Sequence, residues 1–255
     1  GQLQGAAITS VGLSELQQAL LVLQARGVFQ SWEELDAARQ KLSPKLKALL
    51  GEKGYVVMFW GDVGFNRFFS TAPLKSPTDL KGTKPWMWTQ DGVYKALYSV
   101  LGVSGVPMGV PEVMPSLQTG LIDTYSTPPL AAVSLQWFSR SKHMLDVPLN
   151  VTIGAVVLTK AAMDKLSPED QASVLQVGDE VGKSMAIQVR ADNETSTASV
   201  RKAGIQIYAP SKTEVDAWSK VLQEGANGAA GKVYPPELLQ EVRQAVAEYR
   251  SQKKS

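Results

Sequence analysis

The chain has no cysteine in 255 residues. This excludes disulfides, thiolate metal sites and cysteine nucleophiles together. The absence suits an oxidising compartment, where a free thiol is a liability, although cytosolic proteins also do without cysteine. Histidine is almost as scarce. His143 stands alone, and metal sites need several converging ligands. Its sequence neighbours offer no nucleophile or metal partner, so a surface or hydrogen-bonded histidine is the simpler reading. An excess of one charge is also missing. With 26 basic and 24 acidic residues the net charge is +2, too weak to argue for nucleic acid or an anionic membrane surface. No run of like charges exceeds the short Lys253-Lys254 tail, read as solvated. No apolar run reaches the roughly 20 residues that span a bilayer. Gly1-Gln2-Leu3-Gln4 lacks the charged and apolar regions of an export signal. Nucleotide-cradling glycine loops and the Gly-x-Ser-x-Gly elbow are likewise missing.

What is present is a substantial apolar fraction, 44%, on a chain long enough for two lobes or one large α/β unit. Gly5 to Ser10 reads as a short buried strand. Ser14 to Arg26 carries Leu16, Leu20 and Leu23 at helical spacing. Ser31-Trp32-Glu33-Glu34 is a capping-box signature, predicting a helix to about Leu50 that stops near Gly51. Tyr55 to Phe59 is a continuous apolar strand. Thr83 to Trp88 reads as a strand, Gln90 to Leu101 as a helix closed by Gly102, and Val106 to Val110 as a strand. Pro111 to Thr119 follows as a helix closed by Gly120, then Ile122 to Ser126 and Val151 to Leu158 as strands. Ser167-Pro168-Glu169-Asp170 combines a cap, a first-turn proline and two acids. It opens a long helix to about Ala203, with Val174, Val177, Val181, Met185 and Val189 as an apolar stripe. Ile205 to Tyr208 is a strand, Ser211 to Glu214 another capping box, and Pro235 to Tyr249 a terminal helix. The alternation of strands and helices predicts α/β layers with mostly parallel sheets.

The segment from Pro73 to Pro128 carries several motifs in one order: Asp79 to Gly82, Lys84, Leu101-Gly102, Glu112-Val113, and Leu117-Gln118-Thr119-Gly120 through Asp123. In these it resembles the TRAP transporter solute-binding proteins, extracytoplasmic receptors that hand small molecules to a membrane permease. The resemblance continues more loosely through Gly204 to Tyr208 and the capped helix after Pro210. It implies a two-lobed periplasmic solute-binding fold, type II-like, with a discontinuous chain in each lobe. One lobe would hold residues 1–65 and 152–195, the other 66–151 and 196–255. Gly1 to Ile8 is similar to the family's entry into its third strand. The strand, helix and strand that open the family's first lobe are therefore expected outside this sequence, after any export signal. The implied location is periplasmic or extracytoplasmic, free or membrane-anchored before processing. No catalytic residue, cofactor, metal or nucleic acid is implied; Glu112, for instance, sits where the family has a helix-start glutamate, and acids there offset the helix dipole.

The same resemblance places the ligand between the lobes, at the C-terminal ends of strands. Three places match. The loop after the Tyr55 strand offers Trp60, Phe65, Asn66 and Arg67, with lobe packing as the alternative role for its aromatics. The second strand offers Trp86 and Trp88, on one face by alternation. The third place is Asp123 to Pro128, where Tyr125 and Thr127 stand around the position of the family's ligand-binding asparagine. Met108 and Asn150 complete the candidate set. One position departs from the family: its carboxylate-binding arginine aligns with Trp86. An indole offers one N–H donor and a large apolar face. A carboxylate buried against it without another cation would cost several kcal/mol. The expected ligand is therefore apolar or aromatic-rich, unless Arg67 supplies a charge. The alternative is that Trp86 fills the cleft and no ligand binds in the usual way. Expected partners are the small molecule and the permease subunits, with a tetratricopeptide periplasmic protein as a further candidate. Two rival classes stay open: an interaction protein docking a partner through the aromatic cleft, and an enzyme on the same scaffold.

Overall fold

The computed structural model describes residues 3–253. Gly1, Gln2 and Lys254, which carry part of the expected strand entry and of the basic tail, lie outside the described residues. The chain opens with β1 (Gly5–Thr9), α1 (Ser10–Ser14) and a 3₁₀ turn (Gln18–Gln24). Then come α2 (Trp32–Gly51), β2 (Tyr55–Phe65), β3 (Arg67–Ser70), β4 (Trp86–Met87), α3 (Gly92–Leu101), β5 (Val106–Pro107) and α4 (Val110–Thr119). β6 (Thr124–Thr127), α5 (Pro129–Ser134), β7 (His143–Leu145), β8 (Val151–Thr159), α6 (Lys160–Met163) and α7 (Pro168–Lys202) follow, before β9 (Gln206–Tyr208), α8 (Lys212–Ala229) and α9 (Pro236–Gln252).

Two separate sheets define two lobes. The first has the order β1-β8-β2 and the second β6-β3-β7-β9. The β4-β5 pair joins the second through a bridge between Pro85 and Thr124. Both pairings in the first sheet are antiparallel, as are β3–β6 and β3–β7, while β4–β5 and β7–β9 are parallel. The expectation of mostly parallel sheets is thus corrected. The reason lies in the crossing strands: β2 and β8 run opposite ways side by side, and β2 turns at Asn66 directly into β3 without an intervening helix. That turn is where the lobes join. Asn66 N–H donates to the Asn150 carbonyl at 2.8 Å, and Leu149 N–H donates to the Asn66 carbonyl at 3.1 Å.

The local signals are obeyed where side chains decide. Ser31 accepts the Glu34 N–H and opens α2, whose Leu35, Ala38, Leu42, Leu46 and Leu50 form one buried stripe. Gly102 and Gly120 adopt the left-handed conformation that closes α3 and α4. The predicted helix from Ser14 to Arg26 is instead the α1 turn and a 3₁₀ turn, because Ala19 to Gln24 are buried on every side. Helical amphipathicity cannot describe such a segment.

Two packing expectations also change. α9 was expected with the second lobe, but its Leu238, Leu239, Val242 and Val246 share the first lobe's core with the α2 stripe. On α7 the valine stripe faces outward, with Val177 57%, Val181 42% and Met185 46% exposed. Gly178 and Gly182 make the buried contact instead. A Cβ at Gly182 would lie 2.7 Å from Phe59 Cβ, so the helix docks on β2 backbone to side chain. A salt-bridge network locks this docking: Asp62 of β2 accepts from Arg39 at 2.6 Å and from Arg190 at 2.8 Å, and Asp36 holds both arginines from α2.

Candidate functional site

A cavity of about 170 Å³ lies between the lobes, beside the Asn66 crossing. Ligand pockets usually span about 300–1,000 Å³, so in this conformation the space suits a small solute. The first lobe contributes Thr9, Val11, Gln24, Val63 and Thr152 to its wall. The second contributes an aromatic side made of Trp86, Trp88 and Trp137, and a polar side made of Asp91, Tyr94, Ser126 and Thr127.

Each wall is built by its element. Trp86 in β4 is 3% exposed, and its Nε1 donates to the Met108 carbonyl at 3.1 Å. Its ring centroid lies 5.4 Å from Trp88 and 5.3 Å from Trp137. Edge and tilted contacts of this kind suit aromatic quadrupoles. Asp91 caps α3 by accepting the N–H groups of Val93 and Tyr94, both at 2.9 Å. Burial pushes its carboxyl up from the usual range, against the pull of the Arg26 charge and the two backbone donors. Burial likewise pushes up the Tyr94 hydroxyl, which donates to Ser126 Oγ.

Behind the first-lobe wall is a buried polar chain. Thr152 Oγ1 donates to Asn66 Oδ1 at 3.0 Å, and Asn66 Nδ2 donates to Asn150 Oδ1 at 2.9 Å. Asn150 Nδ2 donates to Gln24 Oε1 at 3.3 Å, and Arg26 Nη1 donates to Asn150 Oδ1 at 2.9 Å. Arg26 is fully buried and stacks over the Tyr94 ring, 3.3 Å from its centroid.

Of the residues chosen from sequence, Asn66, Trp86, Trp88 and Thr127 meet at this cavity. Asn150 and Met108 stand one layer back, holding Asn66 and Trp86. Four do not reach it. Trp60 is in strand rather than loop, bonds Ser43 Oγ at 2.7 Å and faces a hollow between α2 and α7. Phe65 packs on Trp32, with ring centroids 4.7 Å apart. Arg67 pairs with Asp146 at 3.0 Å on another surface, because successive strand residues face opposite ways and Asn66 takes the cleft side. Tyr125 is fully buried, stacked on Phe69, with its hydroxyl on Ser141. Glu112 and Asp123 are structural: Glu112 accepts the Gly109 N–H, and Asp123 accepts the Lys84 N–H, each through a side-chain oxygen.

Sequence reading missed Gln24, Arg26, Asp91, Tyr94 and Trp137. For Gln24 and Arg26 a signal existed: they interrupt the otherwise apolar run from Ala19 to Phe29, and a charge there demands a buried partner. Among the described residues no group of three or more histidine or carboxylate side chains could hold a metal ion, and no helix is long and apolar enough to cross a membrane.

Comparison with known proteins fits this geometry. Residues 1–230 match the family described as bacterial extracellular solute-binding protein, family 7. The 2,3-diketo-L-gulonate-binding periplasmic protein YiaO of Escherichia coli is 30% identical over 169 residues, covering 66% of this chain and 51% of that protein. The C4-dicarboxylate-binding periplasmic protein of Rhodobacter capsulatus is 26% identical over 224 residues, or 87% of this chain and 66% of that one. Over the first of these matches the chain spans about half the length of its curated relative. A TRAP periplasmic solute-binding protein from Ralstonia eutropha, solved with (S)-2-acetolactate, superposes with a TM-score of 0.90 at 18% identity. That match covers 96% of this chain and 80% of the other, and shows the shared two-lobed fold. With the family matched over most of its length, the chain belongs to the bacterial extracellular solute-binding proteins of family 7, a periplasmic class of receptor.

Proposed function

We propose that this chain is the ligand-binding part of a TRAP-type solute receptor, which takes a small molecule between its lobes and delivers it to membrane permease subunits. The observation that carries the reading is the cavity at the lobe crossing, where three tryptophans from one lobe face polar side chains from both. Relatives support the class. YiaO is named for 2,3-diketo-L-gulonate, and structural neighbours were solved with galacturonate and with succinate. In this chain the ligand's apolar face lies on Trp86 and Trp88, while Asn66 and Thr127 take its polar atoms. We keep the lobe division at 65/66 and 151/152, with residues 196–225 in the second lobe and the chain from Ala226 through α9 docked back on the first-lobe core. No catalysis is proposed. Asp91 Oδ1 caps α3 and Ser126 Oγ accepts from the Tyr94 hydroxyl, a structural use of both side chains.

Thermal-shift screening of the full chain against small acids, neutral aromatics and sugars tests the reading. Stabilisation grows as RT ln(1 + [L]/Kd), about 2.7 kcal/mol at a hundredfold excess over Kd. Ligands with an apolar face are expected to shift the melt, and Trp88→Ala to abolish the shift. Succinate and malate are expected to give none. A melt unchanged by Trp88→Ala, or a clear shift with succinate at low concentration, contradicts the ligand assignment.

A further inference from the structure

The three tryptophans on the cavity wall are arranged as a corner. Trp86 is tilted 46° to Trp88 and stands at 77° to Trp137, with ring centroids 5.4 and 5.3 Å away. Rings inclined in this way enclose a concave space, which a flat stack does not. All three line the cavity, and Asp91 and Tyr94 line it with them. The face of an indole carries the negative side of its quadrupole. It attracts a cation within about 6 Å of the ring centroid, most strongly where water is excluded.

Charge and hydrogen bonding on the wall point the same way. Asp91 is the one charged side chain lining the space, and no lysine or arginine does. Both backbone bonds of its α3 cap go to Oδ1, so neither uses Oδ2. Arg26 is fully buried, stacks on Tyr94 and acts on Asp91 from behind the wall. The corner therefore answers a cation through its ring faces first and through the carboxylate second. An anion would need donors from the same wall, and several are already used within the protein. Trp86 Nε1 donates to the Met108 carbonyl, the Tyr94 hydroxyl to Ser126, Thr152 Oγ1 to Asn66 and Gln24 Nε2 to Ser10. A fully methylated ammonium needs none of them, because its charged group has no acceptor atom and its methyl groups suit apolar rings.

We propose that this cleft takes a small quaternary ammonium cation, seated in the corner of Trp86, Trp88 and Trp137 with Asp91 as its counter-charge. This rests on the receptor reading above and adds the ligand's charge to it. The cavity of about 170 Å³ limits the solute to a small one. The apolar face expected of the ligand is then the methyl shell of the ammonium group.

The test uses two probes of one shape on the full chain: choline, and dimethylbutanol, in which carbon replaces the charged nitrogen. Calorimetric titration is expected to show choline binding about ten- to thirtyfold tighter than the alcohol, the scale of a desolvated cation–π contact. Two variants, checked for folding by circular dichroism, locate the preference. Trp88→Leu keeps an apolar wall and removes one ring face, at a half-buried position. Asp91→Asn keeps a residue that can cap α3 and removes the charge. Each is expected to lower the choline-to-alcohol ratio by about threefold or more. A ratio near one in the wild-type protein overturns the cation assignment, whether or not the variants fold, and leaves the receptor reading standing. So does either variant, if folded, that keeps the full ratio. Silence from both probes also overturns the cation assignment. Native mass spectrometry then decides the receptor reading separately, by whether another solute occupies the cleft.

Discussion

Truncating Trp86 to alanine separates a packed wall from an idle ring. The side chain is almost wholly buried and touches two other tryptophans, and its Nε1 satisfies the Met108 carbonyl. Deleting a buried tryptophan costs about 3–5 kcal/mol when the site cannot collapse. The orphaned carbonyl adds about 1 kcal/mol. A total near 5 kcal/mol would lower the melting temperature by roughly 10–20 °C in a domain of this size, at about 2–4 °C per kcal/mol. Urea denaturation is the assay, since a midpoint shift at constant slope reports stability. Trp86→Phe should keep most of the packing and lose mainly the Nε1 bond, about 1–2 kcal/mol. A loss below about 1 kcal/mol in the alanine variant would refute the placement, because no buried aromatic wall yields so little. Since the ring belongs to both core and cavity, ligand affinity is best read in Trp86→Phe.

Four further outcomes follow from the same coordinates. Trp86→Arg places a charge among Trp88 and Trp137 with one carbonyl to meet it, so it should destabilise at least as much as the alanine change in the urea assay. Arg67→Ala should leave every ligand-induced thermal shift unchanged, because Arg67 pairs with Asp146 outside the cleft. Gly182→Leu should cost about 1–3 kcal/mol by overpacking Phe59 and lifting α7 from β2. The last outcome concerns acid. Burial alone would raise the Asp36 carboxyl, but hydrogen bonds and charge from Arg190 and Arg39 hold it below its ordinary value. A carboxyl lowered in the folded state stabilises above its unfolded pKa and loses that stability as pH falls through the folded value. Melts taken down to about pH 3 should therefore show a shallower acid-side decline in Asp36→Asn than in wild type; equal slopes would remove Asp36 from the network.

What was legible in the sequence was what short-range chemistry decides. Ser31, Ser167 and Ser211 cap the helices they were expected to cap, and Gly102 and Gly120 end theirs. Trp86 and Trp88, two residues apart, both line the cavity, although the strand ends at Met87. What failed was set by long-range packing. The stripe of Val177, Val181 and Met185 has helical period, but α7 docks through two glycines that no hydrophobic pattern reveals. Trp60 reads as loop because the continuous apolar run stops at Phe59, yet β2 runs on to the crossing through two register shifts, between Val57 and Phe59 and between Asp62 and Gly64. Tyr125 reads as a cleft residue from its place beside the family's ligand-binding asparagine, but all four residues of β6 are buried and its ring is turned into the second-lobe core. Arg26 stands out as a single charge inside an apolar run, but its partners, Asn150 and Tyr94, lie far along the chain and only packing brings them to it.

The central claim is that the space between the lobes is a solute site. Native mass spectrometry of the protein purified from its own host tests it most directly, comparing wild type with Ala131→Phe, a change on the cavity wall that fills the space. The account predicts a small-molecule adduct at one per chain on the wild type and a bare mass for the folded variant. An adduct kept by Ala131→Phe, or a wild-type protein that stays bare against the whole solute panel, would contradict it.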